Sequence, residues 1–183
     1  MSVDGAAVAG RATAGAGRVV VGVSGSLASL AALRAGAAEA RRTGQVLVAV
    51  LAWEPPEGEA LYLRHPDREW ARHWWTEAKA RLDRAFDEAF GGTPPGVVVE
   101  RRVIRDHPGR ALCEAATHPD DLLVLGARPH RHITPRTHRH VRAHASCAVL
   151  TVRPPALPKA LRRTLRNLTP DDARLTDKAP TWQ

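Results

Sequence analysis

The chain has 183 residues, with 27 Lys and Arg against 19 Asp and Glu, a formal net charge of +8; this length allows one domain with a sizeable core. Two cysteines are too few for a disulfide scaffold, and no apolar run approaches the roughly 20 residues that a membrane-spanning helix needs. Residues 1–17 lack the pattern of a signal peptide, so we expect a flexible N-terminal segment on a cytoplasmic protein that uses no membrane.

The first half of the chain alternates short apolar runs with helical patterns. A β-branched run at 18–23 ends in a Ser-Gly-Ser turn, and leucines and alanines then recur at helical spacing over 27–42. The nearly continuous apolar run at 46–53 is typical of a strand that is covered on both faces. A proline-rich break follows. Residues 67–90 then carry an apolar stripe that steps by four, which indicates a long helix packed on a sheet.

The second half continues the alternation. It predicts strands at 97–104, 121–127 and 147–152, with helices at 106–117 and about 139–145 between them. Apolar rather than alternating strands in this order predict an α/β fold: a doubly wound, five-stranded parallel sheet with helices on both faces, Rossmann-like. We therefore assign a domain to 18–153. The polar, proline-punctuated residues 154–183 are expected to form a disordered basic tail.

The positive charge is concentrated near the C-terminus. Residues 1–125 contain 15 Lys and Arg against 16 Asp and Glu, whereas residues 126–153 contain six Arg and no acid. A local excess of this kind favours an anionic partner, either nucleotide phosphates or a nonspecific polyanion such as nucleic acid bound by the loop and tail. A solvated basic loop with no ligand is the third interpretation.

The same segment is rich in histidine. A metal site would use His130 with His132, or His140 with His144, which lie one helical turn apart. No nearby Asp, Glu or Cys completes a ligand set, so no specific metal site is expected.

Four stretches carry a resemblance to a known family: VVVGVSGSLASLAALRAGAAEAR, VAVLAWEPP, DDLLVLGARPH and HVRAHASCAVLTVRP. Together they resemble the universal stress protein domain over about 18–153. The resemblance implies a cytoplasmic, regulatory rather than catalytic protein of the stress response. It also implies a homodimer joined through the last strand, here Ala148–Val152. Some members of the family bind ATP and others do not.

The resemblance also implies where a nucleotide would bind. ATP-binding members carry an aspartate at the end of the first strand, where this chain has Ser24, and a glycine loop after the fourth strand. Gly126 matches the first glycine of that loop and Arg128 a common basic position, but Pro129 replaces the second glycine. Proline has no N–H to offer a phosphate, so we expect ATP binding to be weakened or absent.

ATP is the one cofactor that the sequence leaves possible. The alternative function is a nucleotide-binding protein that uses Arg128 and neighbouring basic residues in place of the glycine loop. The candidate nucleotide-binding residues are Ser24, Gly25, Ser26, Val50, Gly126 and Arg128.

Catalysis has little support in the sequence. Ser24 and Ser26 have no acid–base partner at a defined spacing. Asp106 and His107 are adjacent, and adjacent side chains usually diverge, so a helix start is the better interpretation of that pair. We expect no enzyme activity and no catalytic residues.

Overall fold

The computed structural model describes residues 17–55, 58–64, 67–127 and 136–155. Within these ranges strands and helices follow the chain order β1 (Val19–Gly22), α1 (Leu27–Thr43), β2 (Leu47–Trp53), α2 (Glu59–Arg64), α3 (Arg68–Phe90), β3 (Val99–Arg105), α4 (Pro108–Ala115), β4 (Leu122–Gly126), α5 (Arg136–His144) and β5 (Ala148–Val152). The predicted tails fall almost wholly outside the described residues, and the assignment of 18–153 as the domain stays a prediction. No helix in the described ranges is long and apolar enough to cross a bilayer.

The strands form one parallel sheet in the order β3-β2-β1-β4-β5. In the centre of the sheet, Val19 lies opposite Leu47 on one side and Leu122 on the other. The chain first adds β2 and β3 on one side of β1, and then crosses to add β4 and β5 on the opposite side. The predicted five-stranded parallel sheet is confirmed, and its switch point lies between β1 and β4, where ligand crevices form in such sheets.

The helices cover both faces of the sheet, as predicted. Val19 and Val21 of β1 point into a core made with α1 and α3, whereas Val20 points into a second core made with α4 and α5. These three valines have no exposed surface. Burial on both faces explains why the sequence of β1 is continuously apolar instead of alternating.

A buried carboxylate ties β1 to the start of β4. Asp121 accepts hydrogen bonds from the backbone N–H of Arg18 at 2.7 Å and of His118 at 3.0 Å, and pairs with the Arg18 guanidinium. Burial by itself raises the pKa of this carboxyl, but the hydrogen bonds from Arg18 and His118 outweigh burial and leave the pKa below its ordinary value. These contacts join the beginnings of β1 and β4. The carboxyl ends of the same two strands form the crevice.

The ends of α1 follow their sequence signals. Ser26 is the N-cap, and its hydroxyl accepts from the N–H of Ser29, while Gly44 ends the helix in the left-handed conformation at φ 71°. Two predictions elsewhere are wrong in detail. The predicted break contains the short helix α2, whose Glu, Ala, Leu and Arg favour helix. In addition, α5 begins at Arg136 rather than near Arg139.

Candidate functional site

A cavity of about 290 Å³ opens at the carboxyl ends of β1, β2 and β4. The starts of α1, α4 and α5 and the middle of α3 complete its wall. Its lining residues are Gly22, Val23, Ser24, Ser26, Ser29, Val50, Leu51, Ala52, Arg81, Pro108, Leu112, Leu125, Gly126, Thr137 and His138. The cavity therefore lies at the switch point of the sheet, the place that the strand order predicts.

The deep part of the cavity is apolar. Val50 and Leu51 of β2 are each 1% exposed, and Leu112 of α4 and Leu125 of β4 are also buried. Such a surface offers van der Waals contact to an apolar or aromatic ring but no hydrogen-bonding side chain. Polar contacts from side chains must therefore come from the rim.

Three serines on the rim are organised around the start of α1. The hydroxyls of Ser24 and Ser26 lie 3.1 Å apart, and the Ser26 hydroxyl also accepts from the N–H of Ser29. The Ser29 hydroxyl donates to the carbonyl of Ser26 at 2.8 Å. Much of the hydrogen-bonding capacity of these serines is thus used within the turn. The exposed Ser24, which stands where an aspartate was expected from the resemblance, is the one closest to solvent.

Gly25 lies beside the cavity rather than in it. Its φ of 75° is in the left-handed region, which explains a glycine at this position. Together with Ser24, Arg81, Ala85 and two further side chains of α3, Arg84 and Glu88, it lines a recess next to the cavity, which we call the α3 recess.

Gly126 is needed for packing. A Cβ at this position would lie 2.2 Å from the carbonyl oxygen of Ala28 and 2.7 Å from the nitrogen of Ser29, both backbone atoms of α1. The Gly126 carbonyl lies 3.0 Å from Nε2 of His138. Close contact between β4 and α1 therefore accounts for this glycine without any bound phosphate.

The structure adds lining residues that sequence reasoning missed. Arg81 reaches the cavity from α3, and Thr137 and His138 reach it from the first turn of α5. His138 belongs to the histidine-rich segment, but its hydrogen bond to Gly126 gives it a structural role that the segment's composition did not indicate. Nothing in the sequence singles out Arg81, because its place depends on how α3 lies across the sheet.

The structure leaves part of the predicted site undescribed. Arg128 lies outside the described residues, as do Pro129, His130 and His132. In the ranges that are described, no group of three or more His, Cys, Asp or Glu side chains is placed to hold a metal ion. His140 and His144 instead stack ring on ring at 4.3 Å.

The adjacent pair Asp106 and His107, considered for chemistry, forms the start of α4. Asp106 accepts from the N–H of His107 and pairs with Arg110, while His107 is the N-cap of α4 and accepts from the N–H of Gly109. The interpretation of this pair as a helix start is confirmed.

Neither cysteine is placed to react as a thiolate. Cys113 and Cys147 are free and half-buried. Burial raises the pKa of both thiols, which keeps them protonated at neutral pH.

A family model described as "Universal stress protein family" matches residues 15–153. The chain belongs to the universal stress protein family. This match spans the whole sheet, the cavity and the α3 recess, so every feature described above lies inside the family domain. A search of curated proteins finds no match.

Solved structures of similar fold include members of the same family. UspA from Lactobacillus plantarum is 22% identical, with a TM-score of 0.51 over 75% of this chain and 97% of that one. A hypothetical protein solved as a test case of structural genomics is 14% identical, with a TM-score of 0.57 over 77% and 98% of the two chains. A universal stress protein in complex with cAMP is 24% identical, with a TM-score of 0.47 over 76% and 98%. The identities are low, and the likeness concerns the fold.

Proposed function

We propose that this chain is a non-catalytic regulatory protein of the stress response whose cavity binds the nucleoside part of an adenine nucleotide and holds the phosphates only weakly. The observation that carries the proposal is the cavity itself, apolar in depth and rimmed by serines, Thr137, His138 and Arg81. Its volume of about 290 Å³ is just below the roughly 300–1,000 Å³ of ligand pockets. A base with its ribose suits that size better than a whole triphosphate.

Weak retention of the phosphates is supported by the residues around Gly126. That glycine serves packing against Ala28, and the position of the second loop glycine is Pro129, which has no N–H. Losing about three amide contacts of roughly 0.5–1.5 kcal/mol each lowers affinity by about one to three powers of ten.

A binding role rather than a catalytic one is supported by the lining. Among the described residues, no Asp, Glu, Lys or Cys lines the cavity. His138 lies within hydrogen-bond distance of the Gly126 carbonyl, and the Ser26 hydroxyl caps α1. A hydrolase that acts through a side-chain nucleophile needs a free base oriented by a third group, and the described lining offers no carboxylate for that third role.

We also propose a cytoplasmic homodimer joined through β5. In the described sheet β5 pairs with β4 alone, so its outer edge faces away from the sheet. It has the uncharged sequence AVLTV, and Leu150 is 42% exposed. The opposite edge strand, β3, carries Glu100, Arg101 and Arg102, and charges of this kind discourage edge pairing. The asymmetry favours β5 as the edge that a second copy covers.

A weak, nonspecific anionic partner for the basic loop and tail stays a prediction. Residues 128–135 and 156–183 lie outside the described part of the chain. The same holds for the alternative nucleotide site built on Arg128.

The proposed function is tested by blocking the cavity. Ala52 lies in its wall, half-buried on β2, so Ala52→Trp should fill the space and abolish adenosine binding measured by isothermal titration calorimetry. The matched control is Ala71→Trp on α3, a half-buried alanine outside the lining, which should bind adenosine as the wild type does. Circular dichroism checks that both variants are folded.

Two outcomes would contradict the proposal. The first is a wild-type protein that takes up no adenosine at millimolar concentration. The second is a folded Ala52→Trp variant that binds adenosine with unchanged affinity, because the ligand would then lie elsewhere.

A further inference from the structure

Arg81 stands between the cavity and the α3 recess. Its side chain lines both spaces, and Ser24 is the other residue that they share. A Cβ added to Gly25 would lie 3.5 Å from Cγ and 3.7 Å from Cδ of Arg81, so the aliphatic part of the arginine rests against the 24–26 turn. Arg84, one helical turn further along α3, extends the basic surface into the recess.

Other arginines on this face of the sheet are engaged by the protein. Arg34 donates to the carbonyls of Glu88 and Ala89, and Arg41 donates twice to the carbonyl of Pro95. Arg101 pairs with Asp83 at 2.7 Å.

By contrast, Arg81 and Arg84 make no hydrogen bond or ion pair with any residue in the described ranges, and both are exposed. Their guanidinium groups are therefore available to a ligand at the cavity mouth.

We propose that Arg81 binds the first phosphate of a bound nucleotide and Arg84 the second, so that the phosphates leave the cavity over the 24–26 turn toward α3. This proposal rests on the proposed function, because the nucleoside in the cavity brings the phosphates to the turn. A guanidinium matches phosphate geometry with two parallel N–H donors. The phosphate site thus lies on the α3 side, away from the connection between β4 and α5.

The charge balance of the α3 recess sets the strength of the site. Arg81 and Arg84 contribute two positive charges, and Glu88 contributes one negative charge to the same recess. The nearby Asp83 is neutralised by Arg101. The site is therefore net positive, open to solvent and sensitive to salt. Removing the Glu88 charge should strengthen phosphate binding, a result of opposite sign to the loss of either arginine.

Calorimetric titration of the full chain with adenosine, AMP and ADP tests the site. Arg81→Ala should lower AMP affinity about tenfold or more, the effect of losing its charge-assisted hydrogen bonds, and should lower adenosine affinity less, because adenosine carries no phosphate. If the second phosphate binds Arg84, ADP should bind more tightly than AMP. Arg84→Ala should remove this difference in affinity, and Glu88→Gln should increase it. The matched control is Arg72→Ala, an exposed arginine nine residues earlier and so on the opposite side of α3, which should bind all three ligands as the wild type does.

The outcomes separate this proposal from the one on which it rests. If adenosine and AMP bind and Arg81→Ala leaves both affinities unchanged, the phosphate site is wrong and the proposed function stands. Equal losses of adenosine and AMP affinity would also overturn it, since Arg81 would then act on the shared nucleoside part. If the wild type binds neither ligand, the proposed function fails and the phosphate site fails with it.

Discussion

At the scale of single residues, His140 occupies a crowded and positively charged place between α4 and α5. Its ring stacks on His144 at 4.3 Å and lies 5.9 Å from the ring of His107. A Cβ added to Gly109 of α4 would lie 2.8 Å from Cβ of His140. Burial lowers the pKa of His140. The neighbouring His144, His107 and Arg110 lower this pKa further, whereas Asp106 raises it.

This shift predicts how stability depends on pH. The unfolded chain protonates His140 near pH 6.5, but the folded chain does so only at lower pH. Above about pH 6.5 the residue is neutral in both states and does not change the free energy of unfolding with pH. As pH falls below that value, the unfolded state binds the proton first and the free energy of unfolding decreases, until pH passes the folded-state pKa.

Urea unfolding between about pH 7.5 and pH 5 measures this loss. His140→Gln should make the decrease in unfolding free energy smaller than in the wild type. His73→Gln, which changes an exposed histidine of α3, should leave the decrease as it is. Equal slopes for the wild type and His140→Gln would show that His140 does not carry the effect.

Gly126 shows that a glycine in a motif can have a packing role that the motif does not indicate. The sequence places a glycine after a buried strand, and the resemblance implies a phosphate loop. The structure shows a backbone contact with Ala28 that excludes any side chain. A contact between β4 and α1, far apart in sequence, leaves no local pattern from which it could be predicted.

At the scale of elements, the difference between the two edge strands has a consequence for assembly. If β5 pairs with a second copy, Leu150→Glu places a charge on that edge and should convert the dimer to a monomer. Val98→Glu is the matched control, because Val98 precedes β3 at the other edge and is 64% exposed; this variant should stay dimeric. Analytical ultracentrifugation at micromolar concentration measures both. A monomeric wild type, or a dimeric Leu150→Glu variant, would contradict the β5 interface.

The elements themselves were predictable to different degrees. The long apolar stripe and the Asp67 and Gly91 caps make α3 easy to place, since each signal is local. The six-residue α2 is harder, because it is too short to show a helical period and lies among prolines and glycines. Short helices depend on what packs against them more than on their own sequence.

At the scale of the whole molecule, the position of the cavity could be predicted and its complete lining could not. Apolar strands predict a parallel sheet, and a parallel sheet predicts a crevice at the carboxyl ends of its central strands. Ser24, Ser26, Val50 and Gly126 are brought together there. The helix residues that join them, such as Arg81, depend on the tilt and rotation of helices on the sheet, which no local pattern encodes.

The central claim is that a nucleoside lies in this cavity and that the connection after β4 does not grip its phosphates. The most direct measurement is a titration of the ¹⁵N-labelled full chain with ATP, followed by the shifts of its backbone amide signals. The account predicts that the largest shifts cluster at 22–26, 50–52, 81–84 and 137–138, with small shifts at 127–134. Largest shifts at 127–134 with an unaffected cavity, or no shifts at millimolar ATP, would contradict it.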